Sequence, residues 1–171
     1  VSARVLVAGI GNLFLGDDGF GVEVARRLRG EPPIAGVTVS DVGIRTLHLA
    51  YALLDRPDLL LIIDAASRGE APGTVYLIDP LAEGATAGAV PTGPSDAHGM
   101  NLDTVLSAVR NLGGELPPIR LVGCEPAFLG ERMGLSAEVE SAIPRAIEIV
   151  HQQIAQTLGS TAALAAEETG S

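Results

Sequence analysis

Two adjacent carboxylates, a third at the end of an apolar run and one imidazole are the residues of this chain best suited to chemistry. Asp17 and Asp18 stand together in Gly16-Asp-Asp-Gly19, Asp64 follows the apolar run Leu59 to Ile63, and His98 lies in Asp96-Ala-His-Gly-Met100. Asp18, Asp64 and His98 would make an O,O,N donor set, which suits a borderline divalent cation such as nickel or zinc better than a thiolate-seeking metal. Three protein ligands leave positions open for water or a substrate group, as catalytic metal sites do. Each residue also has a plainer reading. Asp17 or Asp18 before a helix is a natural N-cap, and His98 would serve as an ordinary exposed loop residue. Asp64 is harder to dismiss, because a carboxylate ending an apolar strand is desolvated unless a cation or several donors meet it. The three candidates lie far apart in sequence, so no local ligand motif ties them together. A helix N-terminus also disfavours a bare cation, so Asp18 would have to screen a metal from the helix dipole.

Competing chemistries are weaker. The loop from Gly9 to Gly16 follows a strand, but its third glycine comes five residues after Gly11, where a dinucleotide fingerprint needs it after three. A Walker loop needs a lysine, and the chain contains none. Cys124 could be imagined as a nucleophile paired with His98, yet no helix N-terminus immediately follows it to activate the thiol, and a quiet structural role is the simpler reading. As a single cysteine it also excludes an internal disulfide and a multi-cysteine zinc site. His48 and His151 fall in helical stretches, as surface or partly packed residues.

The elements that must position these groups follow from periodicity. Arg4 to Ala8 reads as a buried strand; Phe20, Val24 and Leu28 repeat at helical spacing. Gly21 and Ala25 on a neighbouring stripe would let that helix lie close against a sheet. Val37 to Asp41 reads as a second strand, and Leu47, Ala50, Tyr51 and Leu54 mark a second helix. Leu59 to Ile63 suits a central parallel strand covered on both faces. Thr74 to Ile78 follows after only nine residues, Ala65 to Gly73, too few for a parallel crossover. That strand must run antiparallel or leave the sheet. Residues 80–97, rich in Gly, Ala and Pro, read as a long surface loop. Leu102, Val105, Leu106 and Val109 mark a third helix, and Ile119 to Val122 a fifth strand. Ser136 is placed to cap a last helix, with Glu138 in its first turn. Pro144 predicts a kink or restart within it. Residues 159–171 show no periodicity and read as a disordered tail, leaving 1–158 as one domain. The order β-α-β-α-β-β-α-β-α predicts a three-layer α/β/α domain with a mostly parallel five-stranded sheet and one antiparallel strand. Such sheets bind ligands beyond the carboxyl ends of their parallel strands, where Asp17, Asp18 and Asp64 fall.

The formal charge is −10, and all of the basic residues are arginine. An acidic surface repels phosphate backbones and argues against a nucleic-acid partner. No run approaches the roughly 18–20 apolar residues that span a bilayer, so membrane insertion is not expected. The first strand begins too early for a secretory signal, so a cytoplasmic location is the expectation.

The run Gly9-Ile-Gly-Asn12, continued by Gly16-Asp-Asp-Gly19-Phe-Gly21, resembles the opening of the [NiFe]-hydrogenase maturation proteases. Further segments agree in order and spacing: Leu61-Ile-Ile-Asp64-Ala, Ala71-Pro-Gly-Thr74, Asp96-Ala-His98-Gly, and Leu121-Val-Gly-Cys-Glu-Pro126 with Met133-Gly-Leu-Ser136. The similarity spans about residues 4–155. It implies an endopeptidase that detects nickel already inserted in the hydrogenase large-subunit precursor and removes its C-terminal extension. The resemblance carries the metal ligands onto Asp18, Asp64 and His98. It makes nickel a group supplied by the substrate, at a site that other divalent cations could also occupy. The cation would polarise the scissile carbonyl or activate a water. Alternatively it would only position the chain, while Asp17 or Asp18 acts as general base. Some relatives carry Glu where this chain has Asp18, and segment 41–46 is less glycine-rich than in many of them.

Overall fold

The computed structural model describes residues 4–80, 107, 109–111, 113 and 115–169. Five strands form one sheet: β1 (Val5–Ile10), β2 (Val37–Gly43), β3 (Leu59–Ala65), β4 (Val75–Ile78) and β5 (Ile119–Cys124). Their spatial order is β2-β1-β3-β5-β4. The first four in that order are parallel, and β4 alone runs antiparallel, with Val75 opposite Cys124. The expected mostly parallel sheet with one reversed strand is therefore present. The short link after Asp64 cannot carry a crossover, and the chain turns back at Gly73, whose N–H is held by the Glu125 carbonyl.

Helices α1 (Phe20–Arg29), α2 (Thr46–Leu53) and α3 (Ala137–Thr169) cover the sheet. Alternation along the strands sorts the core into two layers. Val5, Val7, Leu61, Ile63 and Val122 face α1 and α3, meeting Phe20, Val24, Ile143 and Val150. Leu6, Ala8, Leu60, Ile62 and Leu121 face the opposite side, meeting Leu49 and Leu53 of α2. Both faces of the central strands are dry, which is why β1 and β3 read as unbroken apolar runs rather than alternating ones.

This arrangement creates a switch point. From β1 the chain passes outward through α1 on one face to β2, then returns through α2 on the other face to reach β3 on the far side of β1. Ligand crevices form beyond the carboxyl ends of the strands where the winding reverses, here between β1 and β3.

The expected helix through Leu102, Val105 and Leu106 lies outside the described residues; residues 109–111 are helical and Val109 is buried. Two expectations for the last helix need correction. The helix does not restart at Pro144, since α3 is continuous through that position. Pro144 and Glu140 both lie on the exposed face, so water can meet the Glu140 carbonyl that proline leaves without a donor, and only the apolar face faces the sheet. The helix also continues to Thr169, through residues that lack periodicity. Alanine-rich composition propagates a helix already nucleated by packing, without needing an apolar stripe.

The tightest contact lies between α1 and the sheet. A Cβ placed on Gly21 would fall 2.0 Å from the Ile63 carbonyl oxygen and 2.4 Å from that of Ile10, and one on Gly9 would fall 2.2 Å from the Gly21 carbonyl oxygen. The first turn of α1 therefore rests backbone on backbone over β1 and β3. Gly21→Ala should lose about 3 kcal/mol or more of stability, because backbone must move to admit the methyl. Urea unfolding measures this, and a loss under about 1 kcal/mol would show that the contact is slack.

Candidate active site

Asp17 and Asp18 occupy a single 3-10 turn, Asp17–Gly19, between β1 and α1. Neither acts as a side-chain cap, because α1 is preceded by Gly19 and no side chain caps it. Although adjacent, the two carboxylates have different surroundings. Asp17 is fully buried. Its Oδ2 accepts the N–H groups of Ala127 (2.8 Å) and Phe128 (2.9 Å) and the Ser136 hydroxyl (2.9 Å), while Oδ1 accepts the Ser136 N–H at 2.7 Å. The Ser136 hydroxyl is also 3.4 Å from the Val139 N–H, so it caps α3 as its position predicts. Asp17 thus joins the turn after β1 to the segment after β5 and to the start of the last helix. With four donors upon it and no exposure, the Asp17 carboxylate is closed to water and occupied in holding these segments together.

Asp18 turns the other way and keeps part of its surface open. Its Oδ2 accepts the Asn12 N–H at 2.8 Å, and the Asn12 side chain in turn accepts the Phe14 N–H at 3.0 Å. Gly11, at φ 130°, passes so close that a Cβ there would lie 1.8 Å from the Asp18 carbonyl oxygen. Only glycine fits that bend. Asp64 sits within the last pairs of β3, opposite Gly123, and its Oδ1 accepts the Ala65 N–H at 2.8 Å. Among the described residues, Asp18 Oδ1 and Asp64 Oδ2 accept no hydrogen bond.

Burial pushes the Asp18 carboxyl upward, and the hydrogen bond from Asn12 only partly offsets it. Asp64 is pushed well above its ordinary value, first through desolvation and second through the negative charge of Asp18; the Ala65 N–H opposes this. The charge of Asp18 therefore discourages ionisation of Asp64. A cation between them would relieve the repulsion and lower both.

A fourth carboxylate, Glu125, was not singled out from the sequence, although it too follows an apolar strand, the feature that drew attention to Asp64. Its Oε2 accepts the Tyr76 hydroxyl at 2.6 Å and the Arg68 N–H at 2.7 Å. Burial alone would raise its pKa, but Tyr76 and the N–H groups of Arg68, Glu70 and Gly69 together bring it below the ordinary value. Tyr76 is raised in turn, by desolvation and by that carboxylate. Glu125 anchors the loop leaving Asp64. Cys124 is buried in the core, and burial with the nearby Asp17 and Glu125 charges pushes its thiol up to about 12, consistent with a structural role. His48 is exposed, and His151 lies 2.8 Å from Glu31 on the surface. His98 lies outside the described residues, among which no group of three or more His, Cys, Asp or Glu is placed to hold a metal.

The model of the hydrogenase maturation protease family matches residues 22–153. The chain belongs to the hydrogenase maturation protease family. It is 30% identical over 148 residues to the hydrogenase 2 maturation protease of Escherichia coli, covering 86% of this chain and 88% of that protein. It is 33% identical over 147 residues to the hydrogenase expression/formation protein HupD of Rhizobium leguminosarum, covering 85% and 71% of the two chains. Among solved structures it is similar to the hydrogenase maturating endopeptidase HybD of E. coli, with a TM-score of 0.75 and 32% identity over 90% of this chain and 93% of that one. As a member of this family it is a hydrolase of the endopeptidase class, on the mixed five-stranded sheet of its relatives. No helix among the described residues is long and apolar enough to cross a membrane.

Two outcomes test these assignments. Asp17→Asn should cost about 3 kcal/mol, because an amide nitrogen or a lost charge would face four donors built for a carboxylate; unchanged urea unfolding would remove Asp17 from the structural frame. For Glu125 the sign follows from its lowered folded-state pKa. Its contribution is complete above the unfolded value near 4.5 and is lost as pH falls through the folded value. The stability difference between wild type and Glu125→Gln should therefore be largest near pH 6–7 and shrink towards pH 3. A difference that grows with acidification would contradict the assignment.

Proposed function

We propose that this protein removes the C-terminal extension of a [NiFe]-hydrogenase large-subunit precursor, using nickel carried by that substrate as the signal to cut. The observation that supports this best is the coupled pair Asp18 and Asp64 at the switch point of a maturation-protease fold. Two desolvated carboxylates, each with one oxygen that accepts no hydrogen bond from the described residues, form an unfavourable pair that a divalent cation would relieve. His98 enters through its place in the Asp96-Ala-His98-Gly segment and would complete the donor set. A bound cation of this kind supplies Lewis acidity towards a carbonyl or a water.

The rest falls to the chain's own groups. Asp18 and Asp64 hold the nickel-bearing part of the substrate. The Asn12 N–H fixes the rotamer of Asp18, and the Ala65 N–H fixes that of Asp64. Asp18, the more open of the two, is the group placed to accept a proton from an attacking water. The precursor is the macromolecular partner, and the reaction belongs in the cytoplasm.

The test is incubation with nickel-loaded and nickel-free precursor, followed by mass measurement of the precursor's carboxyl-terminal fragment. Truncation of the loaded precursor alone is expected. Cleavage of both would make nickel dispensable and point to a general peptidase, whereas binding without cleavage would point to a chaperone. Asp64→Asn should lower the rate at least about 10²-fold; a variant that cuts normally would sink the reading.

A further inference from the structure

Beside the carboxylate pair lies a surface with no part in holding a cation. Phe14 and Met133 are among the most exposed large apolar residues, at 68% and 67%, and Phe128 is 44% exposed. Scattered apolar residues on a surface are ordinary, but these come from two segments that pair with one another. The Arg132 N–H donates to the Phe14 carbonyl at 3.0 Å, the Gly16 N–H donates to the Arg132 carbonyl at 2.8 Å, and the Asp17 N–H donates to the Phe128 carbonyl at 3.0 Å. Isolated bridges join Leu15 to Arg132 and Gly16 to Leu129. The Phe128 ring lies over Gly16 and Gly130, where a Cβ on either would come within 2.9 Å of it, and the Arg132 guanidinium lies 5.9 Å from the ring centre. Arg132 makes no ion pair among the described residues, in a chain whose net charge is −10.

We propose that Phe14, Phe128, Met133 and Arg132 form a platform for the precursor segment next to the scissile bond, and that this segment carries apolar side chains and a carboxylate. The proposal rests on the maturation-protease reading and adds the recognition surface to it. Continuity with the site supports this occupant. Phe14 is four residues from Asp18, at most about 14 Å along the chain, so about four residues of an extended peptide are enough to span from the carboxylate pair to Phe14. Aromatic rings and a methionine provide adaptable apolar contact, and an arginine with no ion pair among the described residues favours an anion there, as the acidic centre favours a cation at the cut. Asp17 holds the segment behind Phe128 in place through its bonds to the Ala127 and Phe128 N–H groups, so the surface is preformed.

The experiment measures cleavage kinetics and direct binding with nickel-loaded precursor for the Phe14→Ser/Met133→Ser double variant and for Arg132→Glu, with Leu77→Ser as a control for loss of exposed apolar area elsewhere. Each platform variant should raise KM and weaken binding about tenfold while keeping kcat within about twofold, and Leu77→Ser should match wild type. A precursor in which an acidic residue near the cut is replaced by lysine should regain affinity for Arg132→Glu. Unchanged KM and binding would overturn the platform while leaving the protease reading intact. A wild-type dimer split by the double variant would also overturn it, making the patch a self-association face. If wild type binds the precursor without cutting it, the protease reading falls, and weaker binding by the variants would still support the platform.

Discussion

Everything at the site depends on how closely the first turn of α1 can lie on the sheet. Gly9, Gly11 and Gly21 remove the three side chains that would hold the turn and the helix off, and carbonyl oxygens fill those spaces: that of Gly21 against Gly9, that of Asp18 against Gly11, and those of Ile10 and Ile63 against Gly21. Helix-to-sheet packing through side chains would lift the turn away from β3 by the thickness of a residue. Backbone contact instead brings the Asp17–Gly19 turn to the ends of β1 and β3, so that Asp18 lies near enough to Asp64 for its charge to raise the other's pKa. The glycines set the electrostatics of the site without taking part in its chemistry.

Four carboxylates lie around this crevice, and the donors each one meets decide what it does. Asp17 receives four hydrogen bonds and becomes a joint between three segments. Glu125 receives the Tyr76 hydroxyl and backbone N–H groups and becomes an anchor, held charged despite its burial. Asp18 and Asp64 receive one backbone N–H each and repel one another. Residue type alone does not separate these fates. An anion with its donors satisfied is a structural element, while one with a free oxygen and a like-charged neighbour needs a partner from outside.

That distinction explains what could be read in the sequence. The parallel core strands, the antiparallel β4 and the cap at Ser136 follow from local rules: unbroken apolar runs, a link too short for a crossover, and a serine one position before a helical stripe. Asp64 stood out because desolvation acts on any carboxylate ending such a run. Glu125 meets the same rule, but its donors come from Tyr76 and the loop after Asp64, a pairing made only by the fold. Asp17 and Asp18 look equivalent as neighbours in a string, and they part company because the turn points one at residues 127–136 and the other at Asn12. Pro144 misled for a related reason. Its cost depends on whether the freed carbonyl faces water, and the sequence pattern alone left that face undecided. Residues 159–169 misled because periodicity detects a buried stripe, and a helix extended by alanine needs none.

On the proposed reading, the same imbalance gives the enzyme its selectivity. A site whose two carboxylates already preferred the ionised state would hold sodium, magnesium or any basic peptide side chain. Desolvation and the like charge of a neighbour weaken that general attraction, because a ligand must offset both. A divalent ion that also accepts imidazole nitrogen gains from all three groups together. A monovalent cation gains much less from the same rearrangement. On that reading the poor electrostatics of the pair would work as a filter, passing a substrate that carries its metal and resisting one that does not. The close packing of α1 is what keeps that pair together, and the four bonds to Asp17 keep the turn from relaxing to separate them.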